Sequence, residues 1–135
     1  MAGTFQFELV SPESLLLSEA VEEVVLPGSE GYLTVMVNHS PMITRIIPGV
    51  VRVRVTGKAE RAFVVFGGFV DIRPEACSLL AEAVVPIEQF DPHDIDRRIA
   101  KARGEFEAAK TDAHRNKAEE FLYQLTTVRG VDTLA

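Results

Sequence analysis

The sequence predicts a β-sandwich or flattened barrel followed by an antiparallel two-helix hairpin, a mostly β plus α fold. Three observations carry this. Residues 5–9 and 51–55 alternate apolar and polar side chains with the period of a half-buried strand. Short apolar runs separated by Pro, Gly and Ser turns fill the chain up to residue 90. From Asp91-Pro92 onward the apolar spacing becomes that of a helix. Charge divides the same way: residues 1–91 hold 6 Lys/Arg against 12 Asp/Glu, whereas 92–135 hold 8 of each. A sandwich domain over residues 1–90 and a helical domain over 91–135 are therefore expected.

In chain order, Phe5, Phe7 and Leu9 alternate with Gln6 and Glu8, and Ser11-Pro12-Glu13 turns the chain. Leu15–Leu17 and Val21–Leu26 follow as strands, the second interrupted by Glu22-Glu23, which suits an edge or a bulge. After Pro27-Gly28 come Leu33–Val37, the polar loop Asn38-His39-Ser40-Pro41, and Met42–Ile47, which stops at Pro48-Gly49. Val51, Val53 and Val55 alternate with Arg52 and Arg54. The tight turn Thr56-Gly57-Lys58 pairs that strand with Arg61–Phe66 as a hairpin. Gly67-Gly68 breaks the run as a bulge or close approach that tolerates no side chain. Phe69–Ile72 and Cys77–Glu82 complete eight to ten strands.

The helical part opens on a capping Asp91 and a Pro92 at the first helical position. Ile95, Ile99, Ala102, Phe106 and Ala109 form one narrow stripe. Its phase is lost after Ala109, and a second stripe runs through Ala118, Phe121, Leu122, Leu125 and Val128. Two helices joined between Lys110 and His114 are expected, with Thr111 or Asp112 capping the second and Arg129-Gly130 ending it. Gly104 weakens the first helix from within. So little apolar area makes the hairpin a weakly held, mobile element.

A net charge of −6 and a pI of about 5.1 argue against nucleic acid as a partner. No run reaches the roughly 18 apolar residues of a membrane span, so no direct membrane insertion is expected, and the N-terminus reads as neither signal nor transit peptide. The single cysteine, Cys77, fits a small buried hydrophobe. No metal-ligand spacing, phosphate loop or nucleophile–base constellation is present. Two other readings compete: a ligand-binding sandwich with a helical lid, and an enzyme that would converge Glu30, His39 and Asp71 without any spacing that suggests it. The exposed loop Asn38–Pro41, held between two apolar strands, instead suits a fixed contact surface for a partner.

The stretches GSEGYLTVMVNHSPMITRIIPGVVRV at 28–53, FVVFGGFVDIRP at 63–74 and LLAEAV at 79–84 carry a resemblance over essentially the whole chain. With Gly28, Ser29, Glu30, Gly31, His39, Pro41, Pro48, Gly49, Gly67 and Gly68 in order, the chain resembles the epsilon subunit of bacterial F-type ATP synthases. The resemblance implies a ten-stranded sandwich and a two-helix C-terminal domain in a non-catalytic central-stalk subunit. Such a subunit binds the gamma subunit, stands on the c-ring, and helps couple proton flow to ATP synthesis. It would lie peripherally at the cytoplasmic face of the bacterial inner membrane. The ring-facing residues would be Gly31, Tyr32, His39, Ser40 and Pro41, with Tyr32 where the family often has an acid. The helices would inhibit ATP hydrolysis when extended into the alpha/beta head. Ile95, Asp96 and Ala100 match part of a pattern that binds regulatory ATP in some members, but Ile99 replaces its Arg. No other cofactor is implied.

Overall fold

A computed structural model describes residues 3–108, 110–117, 119 and 122. The chain divides into two compact units, Met1–Ile87 and Glu88–Ala135. In the first, eight strands appear among the described residues: β1 (Phe5–Val10), β2 (Leu15–Val21), β3 (Glu23–Gly28), β4 (Gly31–Val35), β5 (Met42–Arg54), β6 (Arg61–Ile72), β7 (Ala76–Ala81) and β8 (Val84–Pro86). They pair in the order β2-β1-β7-β6-β5-β3-β4, with β8 on β6. Only β1 and β7 run parallel, as their separation in sequence permits; the other pairs are antiparallel.

β2 and β4 lie at opposite ends of this path, yet Leu17 and Val21 of one and Val35 of the other share a single core with Phe7, Val53 and Leu79. The sheet therefore folds over itself into two layers. No ladder joins β2 to β4 among the described residues, so the sheet stays open rather than closing into a flattened barrel.

Eight strands, not ten, is the second correction to the sequence-based expectation. Met42–Ile47 and Val51–Arg54 belong to one strand, β5, with Val55 just past its end, and Arg61–Phe66 and Phe69–Ile72 belong to another, β6. Pro48-Gly49 and Gly67-Gly68 bend these strands without ending them. Across the bend the inward positions change parity, from Ile46 to Val51 and Val53 on β5, and from Phe63 and Val65 to Val70 and Ile72 on β6. Gly67 and Gly68, at φ of 113° and 139°, make this turn where other residues would be strained. Glu22 separates β2 from β3, so Val21 ends one strand rather than opening the next. β8, three half-buried residues without alternation, carried no strand signal.

A short 3-10 turn at Ile87–Gln89 crosses the boundary between the units, and in the second unit helix α1 spans Pro92–Ala108. The Asp91 carboxylate accepts from the His93 backbone N–H at 2.9 Å, a cap that fits the expected start. Residues 112–117 are helical again, and Thr111 caps them: its hydroxyl accepts from the His114 N–H at 3.1 Å. Leu122 is helical and half-buried. Ala109, Ala118, Phe121, Leu125, Val128 and the Arg129-Gly130 end signal lie outside the described residues.

Candidate docking surface

One outward face of the sandwich combines exposed apolar groups in a row. Val10 pairs with Leu15 on β2 and with Leu80 on β7; Leu80 pairs with Phe69 on β6, and Phe69 with Arg45 on β5. Leu15, Phe69 and Leu80 are 59%, 55% and 56% exposed. Two positions along β5 from Arg45, Ile43 is 74% exposed and extends the apolar surface toward the β4–β5 loop. The neighbouring row is polar: Asp71 opposite Ile43, then Ser78 and Glu8. Leu15, Val10, Leu80 and Phe69, in register across four strands, give a contiguous apolar band of the kind that can serve as an interaction site.

The β4–β5 loop stands at the Ile43 end of this face. Asn38 adopts φ of 65°, and its N–H donates to the Pro74 carbonyl at 2.8 Å, tying the loop to the β6–β7 turn. His39 donates its backbone N–H to Met36 at 3.3 Å, and its Nδ1 lies 2.7 Å from the Ser40 carbonyl. A carbonyl oxygen only accepts, so in that contact Nδ1 is the donor. Met36 and Met42 flank the loop, both exposed. A groove beside it is lined by Pro41, Met42, Ile43 and residues 71–75.

Gly31 and Tyr32 sit elsewhere. They open β4 after the Ser29-Glu30 turn, whereas His39, Ser40 and Pro41 follow its far end, beyond roughly 10 Å of strand. Gly31 and Tyr32 belong to β4 and the other three to the loop that follows it; among the described residues β4 pairs with β3 alone and forms an edge. Tyr32 also has an internal role that periodicity gave no sign of: its hydroxyl accepts from the Val50 backbone N–H at 3.0 Å.

The catalytic alternative finds no support in the geometry. Asp71 pairs with Arg73 at 3.2 Å, His39 with the Ser40 carbonyl, and Glu30 lies exposed on the β3–β4 turn. None of the three hydrogen-bonds another. Cys77 is buried in β7, and burial, helped by the charge of Asp71, pushes its thiol up to about 12, so it is a packing residue rather than a nucleophile.

On α1, Ile95 is fully buried, Asp96 half-buried and Ala100 exposed. Asp94 holds both neighbouring arginines, Arg97 at 3.0 Å and Arg98 at 3.2 Å. Among the described residues no group of His, Cys, Asp and Glu is arranged to hold a metal, and no helix is long and apolar enough to cross a membrane.

Comparison with known proteins gives a consistent result. The family described as ATP synthase, Delta/Epsilon chain, beta-sandwich domain matches residues 4–87. The ATP synthase epsilon chains of Brucella anthropi and Brucella canis are each 55% identical over 130 residues, covering 96% of both chains. Two solved structures share the fold. A chain of the Euglena gracilis mitochondrial ATP synthase (OSCP/F1/c-ring) aligns over 96% of this chain and 81% of its own, with a TM-score of 0.75 at 20% identity. A chain of the Tetrahymena thermophila mitochondrial ATP synthase (central stalk/c-ring) aligns over 93% and 96%, with a TM-score of 0.68 at 16% identity.

Proposed function

The chain belongs to the epsilon-chain family of ATP synthase, and from that premise we propose a division of labour between its surfaces. As a member it is a structural stalk subunit, not the catalytic one. In our reading the apolar row Leu15–Val10–Leu80–Phe69 docks on the gamma subunit, and the β4 edge with the His39-Ser40-Pro41 loop faces the c-ring. The subunit then turns with the rotor and couples proton flow to ATP synthesis at the cytoplasmic face of a bacterial inner membrane, held there by partners. The observation that carries this is the apolar row itself: four strands, each contributing one outward apolar side chain, beside a row of Asp71, Ser78 and Glu8. A partner with an apolar strip bordered by basic groups fits both rows.

We read the helical unit as a brake on ATP hydrolysis, acting on the alpha/beta head when the helices extend. Asp94 with Arg97 and Arg98 is read as ion-pair support for the helix start rather than as a nucleotide site. Hydrolysis by the assembled complex tests the brake, with the full chain against one truncated after residue 91. A rise on truncation supports it; unchanged hydrolysis with intact coupling leaves the sandwich as the working part.

A further inference from the structure

The β3–β5 ladder has a gap, and a side chain from a third strand fills it. Pairing runs Glu23–Arg54, Val24–Val53 and Val25–Arg52, then resumes only at Gly28–Ile46. Residues 47–51 of β5 therefore stand opposite only Leu26 and Pro27 of β3. Continued in register, Val50 would face Pro27, which has no N–H to exchange. The Val50 N–H points into this gap and finds the Tyr32 hydroxyl at 3.0 Å. Tyr32 belongs to β4, opposite Pro27, so its ring spans β3 to reach β5. The fit is close: a Cβ on Gly49 would stand 2.8 Å from the Tyr32 oxygen and 2.6 Å from Pro27 Cβ.

Among the described residues β4 is an edge strand: β3 is its one ladder partner, and Val35 packs it into the core. The Val50–Tyr32 bond adds a tie from this edge to β5, a central strand. We propose that Tyr32 is a positioning residue that locks the β4 edge to β5, so that the edge meets its ring-side partner as a rigid part of the sandwich. This rests on the reading of the β4 edge given above. A phenyl ring fills the same space but offers no acceptor, so Tyr32→Phe isolates the bond.

Amide hydrogen exchange on the full chain is the first arm of the test. Val50 exchanges on the order of tenfold faster in Tyr32→Phe, while Leu79 on β7 is unchanged. In the second arm the variant is assembled into an ATP synthase lacking its own epsilon chain. It incorporates like the wild type but pumps fewer protons per ATP hydrolysed. Unchanged Val50 exchange overturns the lock, and faster exchange with unchanged pumping overturns the positioning role. A wild-type chain that fails to incorporate removes the stalk reading and this role together, whereas normal incorporation with normal coupling in the variant removes this role alone.

Discussion

Gly68 lies so close to Leu80 that a Cβ built on it would stand 2.1 Å from the Leu80 carbonyl oxygen and 2.9 Å from Ala81 Cα. Both obstacles are backbone of the neighbouring strand β7, which cannot swing aside as a side chain would. The φ of 139° adds strain for any L-residue. Gly68→Ala is expected to destabilise the sandwich by about 3 kcal/mol, read as a lower urea midpoint. An unchanged midpoint would mean that β6 and β7 separate there at little cost.

That glycine pair shows how far the sequence could be read. Its intolerance of side chains was legible because two adjacent glycines inside an apolar strand have few other uses. Its role as a bend within one continuous strand was not, because Gly-Gly and Pro-Gly are the same signals that end strands. Val51, Val53, Arg52 and Arg54 were legible throughout: the valines are fully buried, and the arginines meet Glu60 and Glu23 at 3.3 and 2.7 Å. Asp91 was legible as a cap because capping is a local matter of side-chain chemistry; for the second helix the sequence offered Thr111 or Asp112, and the structure decides for Thr111.

The docking row could not be read in advance. Val10, Leu15, Phe69 and Leu80 belong to four strands, and only the register sets them side by side. Along each strand they look like ordinary apolar residues. The bond from Val50 to Tyr32 was hidden for the same reason, since its partners lie eighteen residues apart and meet only across a ladder gap.

Gly104 sits within α1, and a Cβ added there would meet nothing within 4 Å. Gly104→Ala then restricts the unfolded chain and favours the helix without a clash. It should stabilise the helical unit by roughly 0.5–1 kcal/mol, seen as slower amide exchange along α1. Faster exchange would indicate that the glycine serves a bend.

The Asp91 carboxyl is held below the usual carboxylate range, first by the His93 backbone N–H and then by the His93 side chain. A carboxyl whose folded pKa is depressed stabilises the fold above its unfolded pKa and loses that contribution as pH falls through the folded value. The start of α1 should therefore fray as pH drops from about 4 downward, followed through the His93 amide. Asp91→Ala should fray already at neutral pH and show no further step. An acid transition unchanged by the substitution would remove the cap from the account.

The central claim is that the outward apolar row is the stalk-docking surface. Phe69→Ser combined with Leu80→Ser removes the apolar surface of two side chains that are already more than half exposed, so the isolated fold should keep its stability within about 1 kcal/mol. The decisive measurement is the affinity of wild type and double variant for a head–stalk complex depleted of its epsilon chain. A loss on the order of 100-fold with the fold intact is the predicted result, and equal affinity of the two chains would contradict the assignment.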